Sequence, residues 1–425
     1  MLVLAGCASG NQNAPAARTV AAEPPGAQAP ARASGSQSAV KVGLLLPLSG
    51  PGANVGSEML NAAQIALFDL GEEHFTLLPR DTKGSPVEAA EATRKLVAEG
   101  ARLILGPLFA TEVDAAAPVA RASAVNLLAF SNDWQRAGNG TYILGFVPAD
   151  QVARIVGYAR LRGLTRIAAL APRNPYGDAV IAALHDSAQR QGINVVREER
   201  YTADNADLAA AVARLGGGAP AAAARNPALE AQKKELAGRT DEASRAALAR
   251  LQALDAPAPA ASGGSFDALL IADGGDRLRA IAPLLTANHI TGGRTRLLGT
   301  GLWDDPAVAR IPGIAGAWFA APAPQARADF EGRFEGLYHH RPARLATLAY
   351  DATALAAVLA RQSTGSSFGA ASLTNPSGFA GVDGIFRLRG DGLVERGLAV
   401  IEIAPEGPRV IDQAPASFEA VSSAR

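Results

Sequence analysis

The sequence predicts an α/β protein with two lobes, each containing parallel β-sheet covered by helices. Short apolar runs alternate with segments whose apolar residues recur at helical spacing, which is typical of parallel sheets buried on both faces. The alternation occurs in two successive series, and the second begins near Pro148. With 425 residues, the chain is long enough to form two hydrophobic cores.

The first series places helices between short apolar strands. The predicted helices cover Asn54–Leu70, Pro86–Glu99 and Thr111–Ala122. In the first of these helices, one face carries Met59, Ala62, Ala63, Ala66 and Leu70. The predicted strands are KVGLLLPL, FTLLPRD, RLILGP and NLLAF. Continuous apolar runs of this length are expected of buried parallel strands.

The second series repeats the pattern. Its predicted helices cover Pro148–Arg162, Tyr176–Gln191, Ala206–Leu215 and Asp276–Ala287, and its predicted strands are RIAALAP, NVVREERY, FDALLIA and RLLGT. Near the end, GIFRLRGDGLVERGLAVIEI predicts a hairpin that turns at Gly390-Asp391-Gly392.

Composition excludes several classes of function. The 40 basic and 40 acidic residues balance, which argues against nucleic acid as the main partner. No apolar run approaches the ~20 residues of a membrane-spanning helix. The single cysteine excludes an internal disulfide. His339 and His340 could form a metal site, but neighbouring residues on a helix do not face each other. No metal or cofactor is therefore predicted.

The first residues predict a lipid anchor. Leu4-Ala5-Gly6-Cys7 has the form of a lipobox, so residues 1–7 are expected to be a signal remnant and Cys7 the lipid attachment site. Residues 8–39 are mostly small or polar, and we expect a disordered tether spanning roughly 30 Å. Ala8, where an Asp would favour the inner membrane, favours the outer membrane.

The alternating pattern breaks at about 217–264. This stretch is rich in Ala and charge, and Glu230–Lys234 and Glu235–Arg239 have the i,i+4 spacing of helical ion pairs. It predicts either a helical hairpin that docks another protein or a poorly ordered insertion.

Ligands of open parallel sheets bind beyond the carboxyl ends of the strands. Ser49 and Gly50 follow the first strand, Ala110 and Thr111 follow the third, and Ser131, Asn132 and Asp133 follow the fourth. Tyr176 begins a helix in the second lobe and faces the same gap. For each, capping or turn chemistry is the competing interpretation, and Thr111 is predicted to cap its helix.

Enzymatic and nucleotide-binding functions find little support. Gly50, Gly52 and Gly56 depart from the GxGxxG spacing, although Asp81 stands where a ribose-binding acid could lie. No GxSxG elbow, catalytic triad or metal-ligand spacing is recognisable. Asp81 and Asp133 could in principle act as an acid–base pair, but we expect no catalysis.

The stretches at residues 41–70, 81–113 and 166–180 resemble type I periplasmic binding proteins, which include branched-chain amino-acid receptors. The resemblance implies two Rossmann-like lobes joined by a three-segment hinge. On that basis lobe one covers 40–146 plus 322–384, lobe two covers 147–321 plus 385–412, and 413–425 form a tail.

The resemblance also implies site residues. Thr111, Ser131 and Asp133 match positions that hold a ligand carboxylate, and Tyr176 matches an aromatic position. The positions that hold an ammonium group fall near Gly275 and Gly301, and Asp304 and Asp305 are candidate substitutes that stand out of register. Trp303 or Trp134 could fill the cleft instead. The predicted cleft residues are Ser49, Gly50, Ala110, Thr111, Ser131, Asn132, Asp133, Tyr176, Gly275 and Trp303.

Residues 270–285, 297–305 and 375–403 resemble a lipoprotein branch of this fold related to activators of penicillin-binding proteins. The resemblance implies a non-catalytic, lipid-anchored periplasmic regulator whose partner is a peptidoglycan synthase. The alternative is a receptor of an ABC transporter that binds an amino acid or a similar small polar solute.

Overall fold

A computed structural model of the protein describes residues 39–71, 75–202, 204–217, 236, 266–290, 295–362 and 368–418. The lipobox, the tether except for its last residue, and nearly all of the predicted insertion lie outside these residues. Within the described ranges, every helix is too short or too polar to traverse a bilayer.

The first lobe is built on a five-stranded parallel sheet with the order β2-β1-β3-β4-β5. Its strands are apolar because both faces are covered, and Val42, Leu44, Leu45 and Leu46 of β1 have no exposed surface. The strands are β1 (Val40–Leu46), β2 (Phe75–Asp81), β3 (Leu103–Leu105), β4 (Asn126–Ala129) and β5 (Thr141–Ile143).

The second lobe is built on a seven-stranded mixed sheet with the order β15-β14-β10-β9-β8-β6-β7. Strands β6 to β10 are parallel, and β14 and β15 add an antiparallel edge. Its strands are β6 (Arg166–Pro172), β7 (Asn194–Tyr201), β8 (Ala268–Ile271), β9 (Arg296–Gly299), β10 (Trp318–Ala321), β14 (Ala399–Ala404) and β15 (Gly407–Asp412).

The third sheet is small and antiparallel and consists of β11 (Phe379–Gly381), β12 (Gly384–Leu388) and β13 (Val394–Arg396). The pairing of Leu388 with Val394 confirms the predicted hairpin. Phe386, Leu388 and Val394 are buried in the same core as the first sheet, and the main-chain N–H of Ile143 in β5 donates to the carbonyl oxygen of Gly392. The hairpin therefore packs with the first lobe, whereas we expected residues from 385 onward in the second.

The seven predicted helices are present, each within two residues of its predicted ends, and three further helices in the described residues after 323 were not predicted. In α1 (Ala53–Leu70), Met59, Ala62, Ala63 and Ala66 are buried as predicted, whereas Leu70, predicted on the same face, is half-buried. This helix ends at Gly71, whose φ of 56° is the left-handed conformation that glycine adopts most easily. The helices of the described ranges are α1 (Ala53–Leu70), α2 (Pro86–Ala98), α3 (Ala110–Ala122), α4 (Pro148–Leu161), α5 (Pro175–Gln191), α6 (Leu208–Leu215), α7 (Gly275–Ala287), α8 (Pro324–Tyr338), α9 (Ala346–Gln362) and α10 (Ala370–Leu373).

Within the described residues, the chain crosses between the lobes in three places, as the resemblance implied. It leaves the first lobe after β5, returns to it between β10 and α8, and leaves again between β13 and β14. Helices α8 and α9 belong to the first lobe, because Phe330, Phe334 and Ala346 pack against Ala62 and Ile65 of α1. This arrangement confirms the predicted α/β fold with two lobes.

Candidate functional site

A cavity of about 420 Å³ lies between the two lobes, beyond the carboxyl ends of the parallel strands. This is the position at which open α/β sheets bind ligands. Both lobes contribute to its wall, and most of the lining side chains are apolar. The described lining residues are Gly52, Val55, Leu108, Phe109, Phe130, Ser131, Asn132, Phe146, Gln151, Tyr176, Gly301, Leu302, Asp304, Ala321, Pro322, Arg344 and Leu345.

The first-lobe wall combines two phenylalanines with two polar side chains. Phe109 follows β3, and Phe130, Ser131 and Asn132 follow β4 directly. The Ser131 Oγ accepts a hydrogen bond of 3.1 Å from the main-chain N–H of Asp133. Because that bond uses only a lone pair, the hydroxyl hydrogen can still be donated to a ligand.

The second-lobe wall is internally hydrogen-bonded. The Tyr176 and Thr300 hydroxyls lie 2.8 Å apart. The Gln151 Oε1 accepts from the main-chain N–H of Gly301 at 2.7 Å. Burial raises the pKa of Tyr176 to about 12, so its hydroxyl is neutral at physiological pH. These bonds fix the rim of the cavity but already occupy several of its polar groups.

Phe146 forms the hinge side of the cavity and lies at the first crossing between the lobes. The guanidinium carbon of Arg344 is 4.4 Å from the centre of its ring, and that of Arg396 is 4.8 Å from it. Arg396 is buried and donates from Nη2 to the carbonyl oxygen of Leu144 at 2.7 Å. Two cations therefore hold this aromatic ring by cation–π interactions.

Asp304 is the one acidic residue among the described residues that line the cavity. Both of its carboxylate oxygens accept hydrogen bonds from arginines. Arg327 binds it through two bonds of 2.7 and 2.9 Å. Arg344 adds a third bond of 3.1 Å from Nε. Only 8% of the Asp304 side chain is exposed, so the carboxylate has little capacity to bind a ligand cation.

Of the predicted cleft residues, the structure brings Ser131, Asn132 and Tyr176 to the cavity. Gly301, considered at the ammonium position, and Asp304, considered as its substitute, also line it. The remaining predicted residues have other surroundings.

Ser49 and Gly50 belong to the turn that follows β1, and Asp81 organises this turn. The Asp81 carboxylate accepts hydrogen bonds from the Ser49 hydroxyl and from the main-chain N–H groups of Leu48, Ser49 and Lys83. Partial burial raises the pKa of Asp81, but these bonds outweigh burial and hold it below its usual value. Asp81 is therefore a turn-stabilising carboxylate rather than a ribose ligand.

Asp133 caps a short 3₁₀ turn at Trp134–Arg136, and its Oδ1 accepts from the main-chain N–H of Gln135 at 3.1 Å. Neither Asp133 nor Trp134 is among the residues that line the cavity. An acid–base pair of Asp81 and Asp133 acting in the cleft therefore has no geometric basis.

The expectation that Thr111 caps α3 is wrong. Helix α3 begins at Ala110, its N-cap residue is Phe109, and the exposed Thr111 stands inside the first turn. The Glu112 carboxylate instead reaches back to accept from the main-chain N–H of Phe109 at 3.1 Å. Ala110 and Thr111 thus lie near the cavity in sequence but do not line it.

Gly275 and Trp303 are also outside the cavity wall. Gly275 begins α7 with a φ of 56°. Trp303 is buried in the second-lobe core, where its indole lies against Gly299 and its Nε1 donates to the carbonyl oxygen of Asp273 at 2.8 Å. Neither tryptophan considered as a plug for the cleft fills it.

His339 and His340 both have local structural roles at the end of α8. His339 caps the end of α8 in the left-handed conformation, and the His340 Nδ1 lies 3.0 Å from the carbonyl oxygen of Arg341. No cluster of potential metal ligands occurs in the part of the chain that the structure describes.

Sequence reasoning missed the phenylalanines and Arg344. Phe109, Phe130 and Phe146 each follow a first-lobe strand within a few residues, so their position after a strand could have identified them. Arg344 gave no such signal, because it lies in a connection between two helices.

A family model described as a periplasmic binding protein matches residues 39–408. The chain belongs to the periplasmic binding protein family. A curated relative is the Leu/Ile/Val-binding protein BraC3 of Rhizobium johnstonii, 24% identical over 187 residues. That alignment covers 41% of this chain and about half of the relative, 51%. Family membership implies a periplasmic or extracellular location.

Solved structures of ABC transporter proteins share the fold. A solute-binding protein of Rhodopseudomonas palustris in complex with benzoate has a TM-score of 0.55 at 17% identity, covering 89% of this chain and 97% of its own. LivJ of Streptococcus pneumoniae, in complex with isoleucine, has a TM-score of 0.54 at 17% identity, covering 88% and 100%.

Proposed function

We propose that this periplasmic binding protein is a non-catalytic receptor that binds a small solute between its lobes and delivers it to an ABC transporter. The observation that carries the proposal is the cavity itself, because residues of both lobes line it at the carboxyl ends of the parallel strands. Its volume of about 420 Å³ suits a small molecule. The names of the structural relatives, which are transporter receptors, support the same function.

The solute is proposed to have an apolar body and no ammonium group. Phe109, Phe130 and Leu302 supply apolar surface on both sides of the cavity. A buried ammonium needs an acceptor, and Asp304 is already bound by two arginines. The stretches that hold an ammonium group in amino-acid receptors carry Gly275 and Gly301 here, which have no side chain to offer.

The polar end of the solute is proposed to be a carboxylate. Ser131 and Asn132 both carry hydrogen-bond donors and stand together on the first-lobe wall. A carboxylate accepts several hydrogen bonds and would satisfy both groups. The predicted solute class is therefore a small aromatic or branched aliphatic monocarboxylate. This class replaces the amino acid or similar polar solute that the sequence led us to expect.

Calorimetry with matched ligands tests this proposal. Benzoate, leucine and 4-methyl-2-oxopentanoate would be titrated into the protein, the last being leucine with its amine replaced by a carbonyl. We expect the oxo acid to bind about fivefold to 150-fold more tightly than leucine, since an unpaired buried polar group costs about 1–3 kcal/mol. Leucine binding more tightly than its oxo acid would contradict the assignment of solute class.

A matched pair of variants locates the binding. Asn132→Ala removes a donor from the cavity and should weaken binding by about fivefold to tenfold, the effect of one hydrogen bond. Asn194→Ala makes the same change at an exposed position at the start of β7 and should leave affinity unchanged. If no carboxylate of the panel binds, the receptor function itself is in error.

Activation of a penicillin-binding protein, the first expectation from the sequence, stays a prediction. It depends on the resemblance of residues 270–285, 297–305 and 375–403 to the lipoprotein branch. The relatives' names favour the transporter receptor instead. A pull-down with peptidoglycan synthases distinguishes the two functions, because a transporter receptor should not retain a synthase.

We also propose that Cys7 carries a lipid anchor, and that this anchor lies in the outer membrane rather than in the inner membrane. The support is the lipobox Leu4-Ala5-Gly6-Cys7 and the small, polar composition of residues 8–39. Radiolabelled palmitate should enter the full-length protein in living bacteria and should not enter Cys7→Ser. Equal labelling of both proteins would exclude attachment at Cys7.

A further inference from the structure

Asp304 connects the two lobes through side chains. It follows β9 of the second lobe, next to Trp303 in that lobe's core. Its partners are Arg327 in α8 and Arg344 between α8 and α9, both in the first lobe. The three hydrogen bonds measure 2.7, 2.9 and 3.1 Å and engage both carboxylate oxygens.

The first-lobe side of this connection is anchored in the interior. Arg344 pairs with the fully buried Asp383, with Nη2 at 3.0 Å from Oδ1. Thr347 donates to the other Asp383 oxygen at 2.6 Å. Arg344 is therefore oriented by Asp383 and cannot follow Asp304 freely if the second lobe moves.

The connection is placed where it can limit rotation of the lobes. Arg344 stacks on Phe146 at the first crossing, and Arg327 lies one turn into the helix that follows the second crossing. Only 8% of the Asp304 side chain and 12% of the Arg327 side chain are exposed. Solvent screens such a pair much less than it screens a surface ion pair.

We infer that Asp304, Arg327, Arg344 and Asp383 form an interlobe clamp that holds the lobes in this orientation without a bound solute. Asp304 acts as a positioning residue, because both of its oxygens are bound to the opposite lobe. A solute then enters a cavity whose two walls are already in place, and binding selects an existing conformation.

Distance measurement between the lobes tests the clamp. Spin labels would be attached to Val87→Cys in α2 and Leu161→Cys in α4, which are exposed at 77% and 80%, with Cys7 replaced by serine. Pulsed electron resonance would then give the distance distribution without any solute. We expect a single narrow distribution for this labelled protein.

Asp304→Asn is the informative variant. It keeps the shape of the side chain, Arg327 retains Glu331 at 2.7 Å, and Arg344 retains Asp383. We expect the distance distribution of this variant to be broader than that of the labelled protein that retains Asp304, and to be shifted from it. The matched control is Asp305→Asn on the same loop, whose Oδ1 accepts from the main-chain N–H of Ala307, and it should leave the distribution unchanged.

Arg327→Gln is a second variant if Asp304→Asn folds poorly. It removes two of the three bonds across the lobes and should broaden the distribution as well. Identical distributions for the unmodified clamp and either folded variant would overturn the proposal, as would equal broadening by Asp305→Asn. Because no solute is added, failure of the receptor function would not affect this test.

Discussion

Asp351 and Asp383 are both buried in the first lobe, and burial, together with the negative charge of Asp383, raises the pKa of Asp351. Burial is the larger cause, and the pKa of Asp351 reaches about 7. Burial acts on Asp383 in the same direction, but the cations of Arg344 and Arg396 outweigh it and hold the pKa of Asp383 below its usual value. Asp351 is thus stable as the protonated acid, and Asp383 is stable as the anion.

The raised pKa of Asp351 predicts that the free energy of unfolding falls as the pH rises from about 4 to about 7. In that range the folded protein keeps a proton on Asp351 that the unfolded chain has released, so raising the pH favours unfolding. Asp150, whose pKa burial also raises to about 7, adds to the same slope. We expect each of the two carboxyls to lower the unfolding free energy by on the order of 4 kcal/mol across this range, which urea denaturation would measure.

Asp351→Asn identifies the responsible group. The variant cannot titrate at this position, so its stability should vary less steeply between pH 4 and pH 7. Asp276→Asn, which alters an exposed carboxylate on α7, should keep the wild-type slope. Equal slopes for Asp351→Asn and the wild type would assign the pH dependence to other groups.

Arg396 is predicted to be necessary for stability. Its guanidinium lies over Phe146 and Phe386 and is the buried countercharge of Asp383. Arg396→Met keeps the apolar contacts but leaves the buried carbonyl oxygen of Leu144 without its donor and removes one of the cations near Asp383, which still keeps Arg344, so the expected loss is about 1–3 kcal/mol. Chemical denaturation should therefore detect a large loss of unfolding free energy.

Arg94→Met is the control for this substitution. Arg94 pairs with Glu91 on the exposed face of α2, and exposed substitutions usually change stability by less than about 0.5 kcal/mol. A comparable loss in both variants would mean that burial of Arg396 is not the cause.

Two helical glycines are predicted to respond in opposite directions to alanine. A Cβ at Gly56 in α1 would collide with the main-chain carbonyl oxygen of Pro47, so Gly56→Ala should destabilise the first lobe. A Cβ at Gly332 in α8 would meet nothing within 4 Å, so Gly332→Ala should stabilise by about 0.5–1 kcal/mol. Thermal unfolding checks both signs, and a destabilising Gly332→Ala would refute the prediction for α8.

The layers of the fold were predictable because they depend on local periodicity. Met59, Ala62, Ala63 and Ala66 recur at the helical period, so their burial in α1 follows from the sequence alone. The continuous apolar residues of β1 likewise required cover on both faces. The hairpin at Gly390-Asp391-Gly392 was predictable from its turn, but no local signal indicates which lobe it packs against.

The site was less predictable because its charges pair over long sequence separations. Arg344 lies 40 residues from Asp304 and 39 from Asp383, and no periodicity records such contacts. Trp303 follows a strand, where either the cleft or the core can receive it, and it lies in the core. Local patterns thus located the edge of the sheet but did not indicate which side chains face the cavity.

The hydrogen bond between Tyr176 and Thr300 provides a last prediction about the cavity rim. The two hydroxyls are 2.8 Å apart, and both belong to the second lobe. A bond between neutral groups typically contributes about 0.5–1.5 kcal/mol. Tyr176→Phe should therefore lower the unfolding free energy by about 1 kcal/mol, measured by chemical denaturation.

A double-mutant cycle with Thr300→Val separates this bond from other effects. Thr300→Val also removes the acceptor of a 3.4 Å bond from the main-chain N–H of Leu302, so the single variant alone is ambiguous. The cycle cancels that contribution and should leave a coupling energy of about 0.5–1.5 kcal/mol between the two hydroxyls. Additive losses in the double variant would mean that the bond does not stabilise the rim.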